Sequence, residues 1–130
     1  MLMLASTTRY TVSKEQDFAA AHFLRQYHGQ CEQLHGHNYT VRVHAGCDEL
    51  DAEGMVVDFT QLRDAMREVL GRFDHQLLNE VPPFDQLNPT VENLARYIAE
   101  EVAARIDNNR VRVIACEVWE TQRNCTTYRR

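Results

Sequence analysis

The sequence has few of the residues and runs that mark fibrous, disulfide-bonded or membrane-spanning proteins. Only 3 of its 130 residues are proline and 5 are glycine, which excludes collagen-like and low-complexity chains. Its 4 cysteines form no Cys-x-x-Cys pair, so neither a disulfide framework nor a cysteine-rich metal site is indicated. No apolar run approaches the roughly 20 residues of a membrane span, and we expect no membrane partner.

Positive charge is also in short supply. The chain has 14 Lys and Arg against 19 Asp and Glu, a net charge of −5, without a basic block, so we expect no nucleic-acid partner. Only the first five residues are apolar before Ser6, fewer than the roughly 7–15 apolar residues of a secretory signal. Without an export signal, we expect free thiols and a cytoplasmic location. The overall composition, 44% hydrophobic and 25% charged, is typical of one globular domain, residues 1–130.

Hydrophobic periodicity predicts five strands and two helices. The strands are predicted over residues 10–21 (with a bulge or an exposed edge near 14–17), 35–45, 55–57, 111–121 and 126–128. One helix is predicted over 59–73, capped by Asp58 or Thr60, and another from 88 to 106 with Pro89 in its first turn; residues 74–86 are predicted as a loop. This order indicates an α+β fold in which two helices cover one face of an antiparallel sheet.

Histidines cluster around the second predicted strand. His35 and His37 open it, and residues two apart on a strand face the same side. Paired neutral imidazoles suit a borderline-soft ion such as zinc. His22 on the first strand converges on them if the two strands are antiparallel neighbours, which leaves one tetrahedral position open, as in catalytic zinc sites. Two alternatives remain: a polar pair at a strand start, or a closed structural site with Cys31 as fourth ligand.

The predicted sheet offers only one face to its helices. We expect the three histidines on the other face. Because a sheet of this size does not shield that face alone, we expect a homo-oligomeric partner to cover it.

Other candidate residues lie in a loop, a helix start and a late strand. Asp74 and His75 follow the first helix, either as a solvated helix end or as an acid/base pair. Glu117 alternates with the apolar residues of its strand, where a carboxylate needs a partner, either a salt bridge from elsewhere or a ligand. Thr90 is a helix cap or a first-turn residue. The remaining histidines are predicted to lie on the surface: His28 and His44.

Six segments in order carry a resemblance to a known family. They are Phe18-Ala19-Ala20-Ala21-His22, Cys31-x-x-x-His35-Gly36-His37-Asn38-Tyr39, Val57-Asp58-Phe59, Asp74-His75-x-x-Leu78-Asn79, Asn88-Pro89-Thr90-x-Glu92-Asn93 and Glu117-x-x-Glu120-Thr121. Together the chain resembles the 6-pyruvoyl-tetrahydropterin synthase family over about residues 10–128. It is similar in particular to the bacterial 6-carboxy-tetrahydropterin synthases of queuosine biosynthesis.

The resemblance implies a role for each candidate residue. It implies that a zinc ion is bound by three residues, namely His22, His35 and His37. It implies a thiolate general base, Cys31, whose acidity the nearby metal favours. It implies a second acid/base unit formed by Asp74 and His75. It also implies two substrate contacts, in which Glu117 anchors the pterin and Thr90 touches it.

The resemblance also implies an assembly and a reaction. The fold is then the tunnelling fold, whose sheets join into a barrel of three subunits, with two trimers stacked as a hexamer. The substrate is then 7,8-dihydroneopterin triphosphate, with zinc as Lewis acid, and the carboxy branch also releases acetaldehyde. Alternatives are a pyruvoyl-forming synthase or a non-catalytic metal-binding module. Gln30 and Phe23 replace a frequent lysine and arginine, which leaves the triphosphate contacts unassigned.

Overall fold

The computed structural model describes residues 8–29 and 32–130. Its elements follow in the order β1 (Tyr10–His22), β2 (His35–Cys47), α1 (Phe59–Leu70), β3 (Gln76–Leu77), α2 (Val91–Ile106), β4 (Arg112–Trp119) and β5 (Cys125–Arg129), with a 3₁₀ turn at Leu78–Glu80. None of the described helices is both long and apolar enough to cross a membrane.

The strands form one sheet in the order β3-β1-β2-β4-β5. The four long strands pair antiparallel, and the short β3 adds a parallel edge beside β1. Helix α1 packs against β1 and α2, while α2 packs against β4 and β5. The predicted α+β class with two helices against a sheet is confirmed, although the sheet is mixed rather than wholly antiparallel.

Helix α1 begins where a side chain satisfies its free amides. Asp58 is the N-cap and accepts from the Thr60 backbone N–H at 2.8 Å, one of the two predicted caps. Such a cap contributes about 1 kcal/mol. Phe59, which the sequence places on the apolar stripe, is instead 52% exposed, because it lies at the first helical position, ahead of the buried turn. The buried stripe is formed by Leu62, Met66 and Val69.

Helix α2 has the same kind of start. Thr90 is its N-cap, and its hydroxyl accepts from the Asn93 backbone N–H at 3.1 Å. Pro89 therefore precedes the cap rather than lying in the first turn, which corrects the predicted start of this helix. The cap role predicted for Thr90 is confirmed, while its proposed contact with a substrate stays a prediction.

The predicted strand at residues 55–57 is wrong. The backbone carbonyls there are bound by a side chain rather than by a neighbouring strand: the Arg110 guanidinium donates to Met55 O at 3.3 Å and to Val56 O at 2.8 Å. It also donates to Glu49 O at 2.9 Å. The third strand comes instead after α1, inside the predicted loop 74–86, where it pairs with β1.

Of the two alternatives predicted for residues 14–17 of β1, the exposed edge is confirmed, because β3 pairs with β1 only at Ala20 and Ala21. The bulge is wrong there, and the irregularity lies in β4. The β1–β2 ladder runs without a break from Tyr10↔Cys47 to His22↔His35. Along β4 the register with β2 shifts between His44 and Ala45, which pair with Ala115 and Val113. Ile114 is therefore the extra residue of a bulge. Because a bulge reverses the alternation of side chains, β4 changes face at this point.

The helix-covered face holds the core, and the predicted place of the histidines has to be corrected. Tyr39, Val41 and Val43 of β2 are fully buried, and His37 shares their alternation. His22 likewise alternates with Phe18 in the core and is 1% exposed. The three histidines therefore lie at the end of the helix-covered face, not on the uncovered face. We use "uncovered face" for the opposite side, which carries Glu15, Arg42, His44 and Glu117.

Candidate metal centre and active site

Three histidines meet at one end of the sheet. His22 and His35 are direct partners in the β1–β2 ladder, and their Nε2 atoms lie 3.0 Å apart. One ligand atom from each of His22, His35 and His37 lies within 4.8 Å of the others. The predicted convergence of these residues is confirmed, and the group can hold a metal ion.

Backbone carbonyls fix the tautomers of two of these rings. His22 Nδ1 lies 2.8 Å from Pro89 O, and His35 Nδ1 lies 2.8 Å from Gln33 O. A carbonyl oxygen only accepts, so each Nδ1 carries the proton and each Nε2 presents a lone pair. Two lone pairs 3.0 Å apart repel unless a cation joins them. Ligands of a tetrahedral ion with bonds of roughly 2.0–2.1 Å lie about 3.3 Å apart, which fits this pair.

The third ring, that of His37, has a buried nitrogen, Nε2, without a hydrogen-bond partner among the described residues. Burial lowers the pKa of His37 most strongly, and His22 and His35 lower it further, against an opposing effect of Glu120. The imidazole therefore favours the neutral form that a metal requires. An unsatisfied buried polar atom costs about 1–3 kcal/mol, and a bound ion removes that cost. The donor set therefore fits a metal ion.

A carboxylate that the sequence analysis did not select lies beside this group. Glu120 Oε2 is 3.7 Å from His22 Nε2 and 3.8 Å from His37 Nε2. The residue follows the end of β4, and extending the β2–β4 ladder by one residue places it opposite Tyr39. Its place opposite Tyr39, two residues after His37 on β2, is the signal that would have identified it. Its oxygen is positioned to accept a hydrogen bond from a ligand at the metal centre.

Asp74 and His75 form the predicted pair at the edge of β1. Asp74 Oδ1 accepts from the Ala19 N–H at 2.9 Å, and the His75 N–H donates to Ala19 O at 2.6 Å. His75 Nδ1 lies 3.1 Å from Asp74 Oδ1. The Ala19 hydrogen bond, followed by the charge of His75, lowers the pKa of Asp74. The 80% exposed imidazole of His75 and His37 both line an open cavity of about 580 Å³.

Glu117 lies on the uncovered face, on the other side of the sheet from the three histidines. Its Oε2 is 2.5 Å from His44 Nε2 and 3.9 Å from Arg42 Nη1. Arg42 also pairs with Glu15 at 2.8 Å. A salt bridge from elsewhere in the chain, one of the two kinds of partner predicted for Glu117, is confirmed. The prediction of His44 as a plain surface residue misses this pairing, and the β4 bulge brings Glu117 opposite Arg42.

Cys31, the predicted general base, lies outside the described residues together with Gln30. The described chain resumes at Glu32, whose N–H donates to Leu24 O at 2.8 Å. Among the described cysteines, Cys47 and Cys116 are buried and Cys125 is exposed, and all three are free thiols. Burial raises the pKa of Cys116 to about 12.

Comparison with known proteins identifies the family. The family described as 6-pyruvoyl tetrahydropterin synthase matches residues 11–130. A Bacillus subtilis protein named 6-carboxy-5,6,7,8-tetrahydropterin synthase is 35% identical over 127 residues, covering 92% of this chain and 85% of that protein. An Archaeoglobus fulgidus protein, named as a putative 6-carboxy-5,6,7,8-tetrahydropterin synthase, is 39% identical over 97 residues, covering 74% and 79%.

Solved structures agree with this assignment. The Caenorhabditis elegans 6-pyruvoyl tetrahydropterin synthase superposes with a TM-score of 0.79 at 28% identity, covering 93% of this chain and 95% of that one. A Plasmodium falciparum 6-pyruvoyl tetrahydropterin synthase, 19% identical with a TM-score of 0.77, shares the fold. The histidine cluster, the mixed sheet and the sequence match lead to one conclusion: the chain belongs to the 6-pyruvoyl tetrahydropterin synthase family.

Proposed function

We propose that this protein is a 6-carboxy-5,6,7,8-tetrahydropterin synthase. In this reaction 7,8-dihydroneopterin triphosphate and one water molecule yield 6-carboxy-5,6,7,8-tetrahydropterin, acetaldehyde and triphosphate, and the product serves queuosine biosynthesis. The observation that carries the proposal is the convergence of His22, His35 and His37 on one point, in a chain 35% identical to the Bacillus subtilis enzyme.

The metal in this proposal is zinc, bound by the three histidines. The Nδ1 hydrogen bonds of His22 and His35 to backbone carbonyls support it, because they aim both Nε2 lone pairs at the same point. When bound, zinc acts as a Lewis acid on an oxygen of the substrate side chain. The protein's part is to hold three neutral imidazoles in place before the ion arrives.

Proton transfer in this proposal belongs to Cys31 and to the Asp74–His75 pair. Cys31 removes a proton from the substrate side chain as a thiolate, as the family resemblance implies. Asp74 holds His75 by its Nδ1 at 3.1 Å, which leaves Nε2 of the ring free to donate or accept a proton. The cavity that His75 and His37 both line supports a substrate position beside this pair.

Two carboxylates are candidates for contact with the pterin. Glu117 is the one that the family resemblance implies, but its nearest groups are His44 and Arg42 on the uncovered face. Glu120 lies beside the three histidines. We propose Glu120 as the carboxylate that meets the substrate at the metal centre of its own subunit, with Glu117 acting only on substrate bound across a subunit interface.

We further propose a homohexamer built from two trimers, located in the cytoplasm. The uncovered face supports the assembly, since it carries partly buried charged groups and no described helix packs on it. Strand β5 also ends the sheet with an open edge, to which another subunit's strand can add. Free thiols at the three described cysteines support the location.

The test is to incubate the purified zinc-loaded protein with 7,8-dihydroneopterin triphosphate and measure acetaldehyde and triphosphate. We expect equal amounts of both. Triphosphate without acetaldehyde would assign the chain to the pyruvoyl-forming branch, and neither product would contradict an enzymatic role on this substrate. The Cys31→Ala variant is the control, because it should retain zinc and lose turnover, whereas a closed site with a sulfur ligand would lose the metal.

A further inference from the structure

The three residues that follow β1 are held by side chains in place of a neighbouring strand. Asn79 Oδ1 accepts from the Phe23 N–H at 3.0 Å, and Asn79 Nδ2 donates to Phe23 O at 2.9 Å. Asn88 binds Arg25 in the same way, with its Oδ1 2.8 Å from Arg25 N and its Nδ2 3.3 Å from Arg25 O. In an extended chain, alternate residues offer N–H and C=O to the same side, so two carboxamides here continue the sheet ladder past its last strand residue.

The opposite side of this segment is bonded as well. The Glu32 N–H donates to Leu24 O at 2.8 Å, and the Leu24 N–H donates to Glu32 Oε1 at 3.3 Å. All six backbone polar groups of residues 23–25 therefore have partners. A segment bonded on both sides has little freedom to move.

Asn88 is linked to the metal centre through the backbone of the residue that follows it. The next residue, Pro89, supplies the carbonyl that fixes the His22 ring at 2.8 Å. Asn88 O in turn accepts from the Thr90 N–H at 2.8 Å and from Asn93 Nδ2 at 2.9 Å. The segment that leads into α2 thus holds this part of the chain at two points. Pro89 O binds the ring nitrogen of His22, and the Asn88 side chain binds the backbone of Arg25, three residues after His22.

Arg25 completes the arrangement from the other direction. Its guanidinium donates to Asn79 O at 3.2 Å, Phe84 O at 2.7 Å and Leu87 O at 3.2 Å. The loop's side chains hold the backbone of residues 23–25, and the side chain of residue 25 holds the backbone of the loop. The guanidinium of an arginine presents its N–H donors in a fixed planar fork, which suits these separated carbonyls.

We infer that Asn79 and Asn88 are positioning residues of the metal centre, which hold His22 in the orientation that binds the ion. The inference rests on the proposed metal site and deepens it. Neither carboxamide contacts the ion or the substrate, and each acts through the segment that begins after His22. Groups that orient a metal ligand from outside commonly contribute 10–100-fold to metal affinity.

The test compares Asn88→Ala and Asn79→Ala with a matched control, Asn108→Ala. Asn108 also uses its Oδ1 for two backbone amides, Arg110 N–H and Val111 N–H at 2.8 Å each, but at the opposite end of β4 from the histidines. The measurements are the zinc dissociation constant, by competition with a chromophoric chelator, and the visible spectrum of the Co²⁺-loaded protein. For Asn88→Ala and Asn79→Ala we expect about 10–100-fold weaker zinc binding and an altered cobalt band. We expect neither change for Asn108→Ala.

Loss of folding is separated from loss of positioning by a milder variant. Asn88→Asp keeps the oxygen that accepts from the Arg25 N–H and replaces the Nδ2 donor with a second oxygen, so we expect it to fold and to fall between wild type and Asn88→Ala in zinc affinity. Wild-type affinity and an unchanged cobalt band in Asn88→Ala would overturn the inference alone. A wild-type protein that binds no zinc would overturn the proposed function.

Discussion

Glu117 Oε2 lies 2.5 Å from His44 Nε2, on the side of the sheet away from the metal centre. Both side chains are partly buried, 17% and 26% exposed, so the pair satisfies two polar groups that burial would otherwise penalise. Glu120, three residues further along, lies on the other side with its Oε2 3.7 Å from His22. Two carboxylates in the same resemblance segment thus face different surroundings, and substitution separates their roles.

Glu120→Gln should lower turnover more than Glu117→Gln. We expect Glu120→Gln to reduce kcat by about 10–100-fold with zinc still bound, because a charged hydrogen bond to the substrate at the metal centre, worth about 1.5–3 kcal/mol, is lost. Glu117→Gln should act mainly on KM, by about 10-fold, since a lost binding contact leaves the chemical step unchanged. Steady-state kinetics with 7,8-dihydroneopterin triphosphate measure both. Equal kcat for Glu120→Gln and wild type would remove Glu120 from the site.

His22→Ala should abolish stable zinc binding. The substitution removes the most buried of the three ligands, 1% exposed, and leaves only two histidines for the ion. Metal analysis after dialysis gives the zinc content, which we expect near one ion per chain in wild type and near none in the variant. His28→Ala, which removes an exposed histidine outside the cluster, is the control. Full occupancy in His22→Ala would contradict the ligand assignment.

Tyr39→Phe should leave the metal-loaded protein as stable as wild type or slightly more stable. The Tyr39 hydroxyl is buried without a partner among the described residues, at an expected cost of about 1–3 kcal/mol. Its ring packs edge-on at 5.5 Å from His37, and phenylalanine retains that contact. Thermal denaturation with and without zinc measures the effect. A large drop in Tm would show that the hydroxyl has a partner in solution.

Iodoacetamide at pH 7.5 should inactivate the enzyme by modifying Cys31. Burial raises the pKa of Cys116 to about 12 and also raises the pKa of Cys125 above the usual value for a thiol. A raised pKa lowers the thiolate fraction at pH 7.5, so these two cysteines react slowly, and faster only as the pH rises. Mass spectrometry locates the label, and Cys31→Ala should show slow labelling. Activity loss that follows labelling of Cys125 would contradict the assignment.

Asp74→Asn should separate the charge of this residue from its structural role. An asparagine oxygen still accepts from the Ala19 N–H, so we expect little change in Tm. The carboxylate, whose pKa the Ala19 hydrogen bond lowers, is ionised at neutral pH, and its loss removes the negative charge 3.1 Å from His75 Nδ1. We expect about 10–100-fold slower turnover, because the altered pair transfers protons less efficiently. Asp74→Ala should lose stability as well as activity.

The convergence of the histidines was predictable from sequence because it depends only on strand pairing. His22 and His35 are partners in an unbroken ladder, and His37 follows by alternation. The side of the sheet was not predicted correctly. Phe18 and Ala20, which alternate with His22, are buried in the core, so the apolar pattern before His22 already indicated the helix-covered face.

Other features were missed because they depend on interactions that join distant parts of the chain. The predicted strand at residues 55–57 fails because Arg110, more than 50 residues later, binds its carbonyls. Asn79 and Asn88 bind backbone groups 56 and 63 residues earlier in the chain. The local hydrophobic periodicity does not indicate such contacts, since they depend on how the helices, strands and loops pack together.

The extra residue Ile114 in β4 has a consequence for how this enzyme can change over evolution. Upstream of it, odd-numbered residues such as Val113 point inward, whereas beyond it the even-numbered Cys116 and Val118 do so. Deleting one amino acid there would turn one half of the strand over. If the later half turned over, a neighbouring side chain would replace Glu120 beside the metal centre. If the earlier half turned over, the core on the helix-covered face would lose Val113. Chain length between Val113 and Glu120 should therefore be held constant among active relatives.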